Sequence, residues 1–176
     1  SDGIVKPEDV KNAITDKTCL VTIMTANNEI GTIQPIKEIG AICHEKGVLF
    51  HTDAVQAVGH IPIDVKEMNI DMLSMSGHKF HGPKGVGALY ARKGILLTNI
   101  IEGGAQERKK RAGTGNMPGI GGMAAALVEA TENLDKNMKY VTSLRNKLVD
   151  GLKGIEKSRF NGIMEHHLPG TLNRCF

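Results

Sequence analysis

The stretch Ser74–Gly85 (SMSGHKFHGPKG) decides the fold of this 176-residue chain and points to its chemistry. The apolar run Ile70–Met75 leads into it and predicts a buried strand, and glycines punctuate the loop that follows. Beyond that strand, Lys79 lies between a histidine and a phenylalanine. A lysine is costly to keep both dry and charged, so its place after an apolar strand indicates a chemical role.

Strands and helices alternate along the rest of the chain. This alternation predicts an α/β fold, a three-layer arrangement with a mostly parallel sheet and flanking helices. The elements are predicted as strands at Cys19–Thr25, Val48–Thr52, Ile70–Met75 and Gly85–Arg92, and as helices at Val5–Ile14, Pro35–Lys46 and Pro118–Leu152.

Polar side chains follow three of the predicted strands. Asn28, Asp53 and Ser76 each come shortly after a strand ends. In open α/β sheets the ligand crevice lies at the carboxyl ends of the strands. We therefore expect a ligand site at this edge of the sheet.

Composition excludes several classes of function. Aromatic residues make up 3% of the chain and Trp is absent, so stacking on nucleic-acid bases is disfavoured. The net charge of +3 is too mild to indicate an acidic partner. No run approaches the ~18 apolar residues of a membrane span. The three cysteines are widely spaced and odd in number, which favours a reducing compartment over a disulfide framework.

Lys79 and Asp53 together suggest a site for pyridoxal phosphate (PLP). Burial beside cationic groups such as His78 and Lys84 favours the neutral amine that forms an imine with an aldehyde. A carboxylate at Asp53 would keep a pyridinium nitrogen protonated. The plainer alternatives are a surface lysine and an N-cap, since a helical turn could begin at Ala54.

Further donors lie near these two residues. Gln56 could donate to the phenolate oxygen of the cofactor, or it could complete a capping box. Ser76, Gly77 and His78 offer a hydroxyl, a backbone N–H and an imidazole to a phosphate, although ordinary turn chemistry would use the same residues. Asn28 alone is also compatible with a turn.

Two other kinds of site compete for the same residues. The possible ligands of a metal ion are His51, Asp53, His78 and His81. They show no HExxH or CxxC spacing, so we predict no metal site. The basic run 108–111 could attract nucleic acid, but the neighbouring Gly113, Thr114 and Gly115 favour an anion-binding loop.

Four motifs, in order, carry a resemblance to a known family: Asn27–Gly31 (NNEIG), His51–Gln56 (HTDAVQ), Ser76–Gly85 (SGHKFHGPKG) and Arg111–Thr114 (RAGT). With them the chain resembles the cysteine desulfurases of the NifS/IscS type, fold-type I PLP enzymes of the class V aminotransferase family. The motifs span nearly the whole chain, and their combination is far more specific than any one of them.

The resemblance implies a role for each site residue and a cofactor, pyridoxal 5'-phosphate. Lys79 would attach to the cofactor and later move protons, and His78 would assist it as the second catalytic residue. The remaining cofactor contacts would be Asp53 with the ring nitrogen, Gln56 and Asn28 with the phenolate oxygen, Ser76, Gly77 and His78 with the phosphate, and Thr114 with the phosphate of the neighbouring subunit of a homodimer.

The family reaction converts L-cysteine into L-alanine and leaves sulfur as a persulfide on an enzyme cysteine. The sulfur passes to iron–sulfur cluster scaffolds or other acceptor proteins, without direct contact with nucleic acid or membrane. The resemblance implies the cytoplasm, or the mitochondrial matrix in a eukaryote. The alternatives are a selenocysteine lyase, a class V aminotransferase, and a non-catalytic remnant or interaction module.

The cysteines do not match the family's nucleophile. We expect Cys19 and Cys43 to be buried small hydrophobes, and Cys175 falls in a strand-like segment. The chain is therefore expected to be a fragment, inactive alone, with residues 1–152 in the PLP-binding large domain and 153–176 beginning a C-terminal small domain. His166 and His167 are predicted to lie on the surface.

Overall fold

The computed structural model describes residues 3–176, which form a four-stranded sheet, its helices and a small two-stranded sheet. The helices are α1 (Pro7–Ala13), α2 (Ile36–Lys46), α3 (Gln106–Lys109), α4 (Met117–Glu132) and α5 (Leu134–Leu152), with a 3₁₀ helix at Gly77–Phe80. The strands are β1 (Leu20–Thr22), β2 (Leu49–Asp53), β3 (Met72–Ser76), β4 (Gly87–Ala91), β5 (Arg159–Phe160) and β6 (Arg174–Cys175).

The sheet has the order β1-β2-β3-β4. The first three strands are parallel, and β4 runs antiparallel to β3. Helix α2 connects the parallel strands β1 and β2, because parallel neighbours need a crossover rather than a tight turn. The predicted α/β fold with a mostly parallel sheet and flanking helices is confirmed.

The two faces of β2 differ in burial. Phe50 and Thr52 are both fully buried, and Phe50 packs in one apolar cluster with Ile39 and Cys43 of α2. Their neighbours His51 and Asp53 point to the opposite face, since side chains alternate along a strand, and Asp53 is exposed. Burial of one face thus fixes the register that presents Asp53 at the other.

The long helix predicted at 118–152 is wrong, because the structure has two helices that meet at Asn133. The side-chain amide of Asn133 donates to the Glu129 carbonyl at 3.0 Å, and this local bond competes with continuation of the helix. The apolar repeat continues across the junction and so did not indicate the break.

Two predictions of burial are also wrong. Cys19 is exposed, because it precedes β1 at the edge of the sheet, where Leu20 and Thr22 are exposed as well. His167 is buried, because the backbone on either side of it pairs with the chain near Gly31, where the Leu168 N–H donates to the Gly31 carbonyl at 2.8 Å. Cys175 lies in strand β6, as expected.

The contact at Gly31 needs a glycine. Its φ is +73°, and a Cβ there would lie 2.3 Å from the His167 ring. The C-terminal segment therefore packs directly on the loop that contains Asn28. The division into domains at residues 152 and 153 stays a prediction. None of the helices among residues 3–176 is both long and apolar enough to cross a membrane.

Candidate active site at the carboxyl edge of the sheet

The parallel strands β2 and β3 end side by side. Asp53, the last residue of β2, pairs in register with Ser74, and β3 ends two residues later at Ser76. The chain that continues from β1 reaches the same edge, because the Thr25 N–H donates to the Asp53 carbonyl at 2.8 Å. The structure therefore brings the three predicted strand ends to one edge of the sheet.

Lys79 lies on the single 3₁₀ turn that follows β3. Phe80, its neighbour, is 1% exposed and anchors this turn in the core, whereas Lys79 itself is half-buried. The turn closes tightly because His81 adopts a left-handed conformation with φ +68°, so that its N–H donates back to the Gly77 carbonyl. The lysine is thus carried by a fixed backbone rather than by a free loop.

The backbone N–H of Gly77 is bonded within the chain. Its N–H donates to the Val86 carbonyl at 2.9 Å, so that proton is already used within the chain. A Cβ on Gly77 would lie 3.1 Å from both Met123 and Val86 side-chain atoms. Gly77 therefore allows close packing beneath the turn, and phosphate donors at this place would have to come from its neighbours.

Two of those neighbours, Ser76 and His78, interact directly. The Ser76 hydroxyl lies 2.9 Å from His78 Nδ1, and His78 is exposed. A hydroxyl and an imidazole held together at a strand end can both donate to an anion.

The Asp53 carboxylate is exposed. Oδ1 accepts the Val55 N–H at 3.0 Å, so the capping alternative is partly realised. No group among residues 3–176 bonds to Oδ2. One carboxylate oxygen therefore remains free to accept a proton donor from a ligand.

Two other predicted cofactor contacts, Asn28 and Gln56, follow the ends of the first two strands in the sequence. Asn28 is exposed in a loop that is shaped by its neighbour Asn27, whose Oδ1 accepts the Glu29 and Ile30 N–H groups at 2.8 and 2.9 Å. Gln56 is half-buried and lines a cleft of about 700 Å³ that reaches α4 and α5.

Thr114 lies in an exposed segment. Among residues 3–176, no hydrogen bond joins it to Asp53, Ser76 or Lys79.

A hydrogen-bonded bridge beneath Asp53 was missed by sequence reasoning. His51 Nδ1 lies 2.7 Å from the Thr22 hydroxyl, and its Nε2 lies 2.8 Å from the Ser74 hydroxyl. The imidazole thereby links β1, β2 and β3 and has both nitrogens in use. The sequence indicated this bridge only through one polar residue on each of three apolar strands.

Two other kinds of chemistry, metal binding and attack by a cysteine thiol, have little support in the described residues. No group of three or more His, Cys, Asp or Glu residues is placed to hold a metal ion anywhere in the described range 3–176. Cys43 is fully buried beneath the sheet, and burial, aided by the Asp71 carboxylate, raises the pKa of its thiol. A thiol held protonated in this way is a poor nucleophile.

Comparison with known proteins agrees with this fold. The family described as Aminotransferase class-V matches residues 1–176. A cysteine desulfurase IscS from Methanosarcina thermophila is 54% identical over 99% of the chain and 43% of its own length. A solved NifS-like protein superposes with a TM-score of 0.93 at 45% identity, covering 97% of this chain and 47% of the other.

A second solved structure, SspA in complex with cysteine, has a TM-score of 0.81 at 37% identity over 99% of this chain and 48% of the other. The chain thus spans less than half the length of the relatives it matches. The resemblance to NifS/IscS-type cysteine desulfurases is confirmed, and the chain belongs to the aminotransferase class-V family.

Proposed function

We propose that this chain supplies the cofactor-binding part of a PLP-dependent cysteine desulfurase. The observation that carries the proposal is the placement of Asp53 at the end of β2, next to the parallel strand β3 that leads into the turn with Lys79. The identity of 54% to a curated IscS supports it, because the match covers 99% of the chain.

The residues at this edge fit PLP by their chemistry. Asp53 has a free carboxylate oxygen for a pyridinium, Lys79 offers an amine, and Ser76 with His78 offers donors for a phosphate. When bound, PLP supplies an electron sink for negative charge at the α-carbon of an amino acid.

Each of these residues has a separate task. Asp53 holds a proton at the pyridine nitrogen, because a carboxylate stabilises a nearby cation. The Lys79 amine would attach to the cofactor when it is bound and would move a proton at the substrate α-carbon, with His78 beside it. Gln56 and Asn28 orient the ring through its phenolate oxygen, and Thr114 binds the phosphate of a neighbouring subunit in a homodimer.

For the whole protein we propose the desulfurase reaction, in which L-cysteine becomes L-alanine and sulfur remains as a persulfide on an enzyme cysteine. The solved SspA structure with bound cysteine supports cysteine as the substrate. The acceptor would be an iron–sulfur cluster scaffold or another sulfur-accepting protein. Cys43 is unsuited to carry the persulfide, since it is buried and its thiol pKa is raised.

The compartment proposed is the cytoplasm, or the mitochondrial matrix if the source is eukaryotic. Its support is the set of three free cysteines, two of them exposed, which a reducing compartment would preserve.

The experiment uses the complete natural polypeptide that contains this sequence, loaded with PLP. We expect L-alanine and sulfide in equal amounts from L-cysteine with a reductant, and none from the Lys79→Ala variant. Lys93→Ala is the control, because Lys93 is an exposed lysine in the turn that follows β4 and has no proposed role. Absence of alanine from the wild-type protein would contradict the desulfurase proposal.

The same assay separates the alternatives. Faster turnover of L-selenocysteine would indicate a lyase, and amino-group transfer to a keto acid would indicate an aminotransferase. Failure to bind PLP at all would indicate a non-catalytic module. The prediction that residues 1–176 alone lack turnover is checked by the same measurement on that segment.

A further inference from the structure

His60 makes a direct contact with the backbone of Lys79. Its Nε2 lies 2.8 Å from the Lys79 carbonyl oxygen, across nineteen residues of sequence. A carbonyl oxygen can only accept, so Nε2 carries the proton and donates. The imidazole is half-buried, which makes the bond less exposed to competition from water than a surface bond.

The Lys79 carbonyl lies where a short helix leaves acceptors without partners. The last carbonyls of a helix have no intrahelical N–H, and here the His81 and Gly82 N–H groups both return to the Gly77 carbonyl. No backbone N–H among residues 3–176 reaches the Lys79 carbonyl. His60 is therefore the protein donor that satisfies this acceptor.

A second contact joins the same two segments. Gly59 has φ +78°, and a Cβ there would lie 2.7 Å from Phe80 Cβ, so the turn that ends at His60 abuts the 3₁₀ turn. That turn begins at Ala54, directly after Asp53, and returns through the bonds from Ala57 N–H to Ala54 and from His60 N–H to Ala57. His60 thus connects the segment that follows Asp53 with the segment that carries Lys79.

We propose that His60 is a positioning residue for Lys79. By holding the Lys79 peptide group, it sets the direction in which the lysine side chain leaves the backbone and hence the place of its amine relative to Asp53. This inference rests on the proposed function, since the position of the amine matters only where Lys79 attaches to PLP.

The test compares three variants of the complete protein. His60→Leu removes the donor with little change in volume, and His60→Asn keeps an amide that is too short to reach the carbonyl. His60→Gln keeps an N–H at about the distance of Nε2. His44→Leu on the exposed side of α2 is the control for loss of an imidazole elsewhere. The readouts are the affinity for PLP and the pH midpoint of the absorption band of the lysine-attached cofactor.

We expect His60→Leu and His60→Asn to weaken PLP binding by about tenfold and to shift the pH midpoint, because a partly buried acceptor loses its donor. We expect His60→Gln to stay within about twofold of the wild type, because it restores the hydrogen bond. The His44→Leu variant should match the wild type in both readouts.

Different results would contradict the role of His60 and the proposed function. If the Leu and Asn variants melt at a lower temperature but keep the wild-type affinity and pH midpoint, His60 is only a structural residue and the inference is wrong. If the Leu variant does not fold, the Asn and Gln pair decides by the same criteria. A wild-type protein that shows no attached-cofactor band would overturn the proposed function and this inference together, whereas a normal band in every variant overturns the inference alone.

Discussion

The 3₁₀ turn Gly77–Phe80 and the segment Leu96–Asn116 contribute to the same proposed site but are held very differently. The turn is fixed by Phe80, which is 1% exposed, and by hydrogen bonds at both ends. In the segment, every residue is exposed except half-buried Asn99 and buried Ala112, and Leu96 and Ile100 are each 96% exposed.

The backbone of the two regions shows the same contrast. Three consecutive residues of the exposed segment, Glu107, Arg108 and Lys109, have φ between +48° and +66°, a conformation that non-glycine residues rarely adopt. Strained residues persist where surrounding structure holds them, yet little of this chain surrounds these three. The difference supports the proposal that Lys79 acts within its own subunit and Thr114 on a neighbouring one.

The largest expected effect is on stability, and it separates the two regions. Phe80→Ala should lower the free energy of unfolding by about 3–5 kcal/mol, because it empties a fully packed position. Leu96→Ala should change it by less than about 0.5 kcal/mol at concentrations where the protein is monomeric. Urea unfolding followed by circular dichroism measures both changes. Equal losses of unfolding free energy in the two variants would contradict the difference in packing between the two regions.

The next effect concerns the charge at the cofactor ring. Asp53→Asn should weaken PLP binding by roughly 10- to 100-fold, since a hydrogen bond to a charged group contributes about 1.5–3 kcal/mol. The loss should be the same at all protein concentrations, because Asp53 belongs to the subunit that holds the cofactor. Fluorescence titration with PLP gives the affinity. A loss of less than threefold would show that Asp53 does not contact the ring nitrogen.

A smaller effect is expected at Thr114. Thr114→Val replaces the side-chain hydroxyl by a methyl group of similar volume. This change should weaken PLP binding by about tenfold or less. If the site is shared, a mixed dimer of Lys79→Ala and Thr114→Val subunits contains one intact site. Random mixing of the two variants should therefore give about a quarter of all sites the wild-type affinity for PLP. No recovery on mixing would place Thr114 in the same subunit as its site.

Much of the fold was predictable because it depends on local patterns. Three apolar strands, each followed by a polar residue, predicted the parallel sheet and the edge where Asp53 and Ser76 meet. Cys19 was predicted wrongly because a short apolar run does not distinguish an edge strand from a central one.

What the sequence did not reveal depends on contacts between distant residues. The bond from His60 to Lys79 and the packing of Gly31 on His167 leave no periodic signal, since each joins segments far apart in the chain. The exposure of Asp53 likewise depends on what covers the open face of the sheet, which no local pattern encodes.

The central claim is that Lys79 is the residue to which PLP attaches, and peptide mapping tests it most directly. The complete protein would be incubated with PLP, reduced with borohydride, digested, and examined by mass spectrometry for a pyridoxyl-phosphate group on lysine. We predict one stoichiometric modification, on the peptide that contains Lys79. Modification of Lys84 or another surface lysine at comparable yield, or none at Lys79, would contradict the assignment.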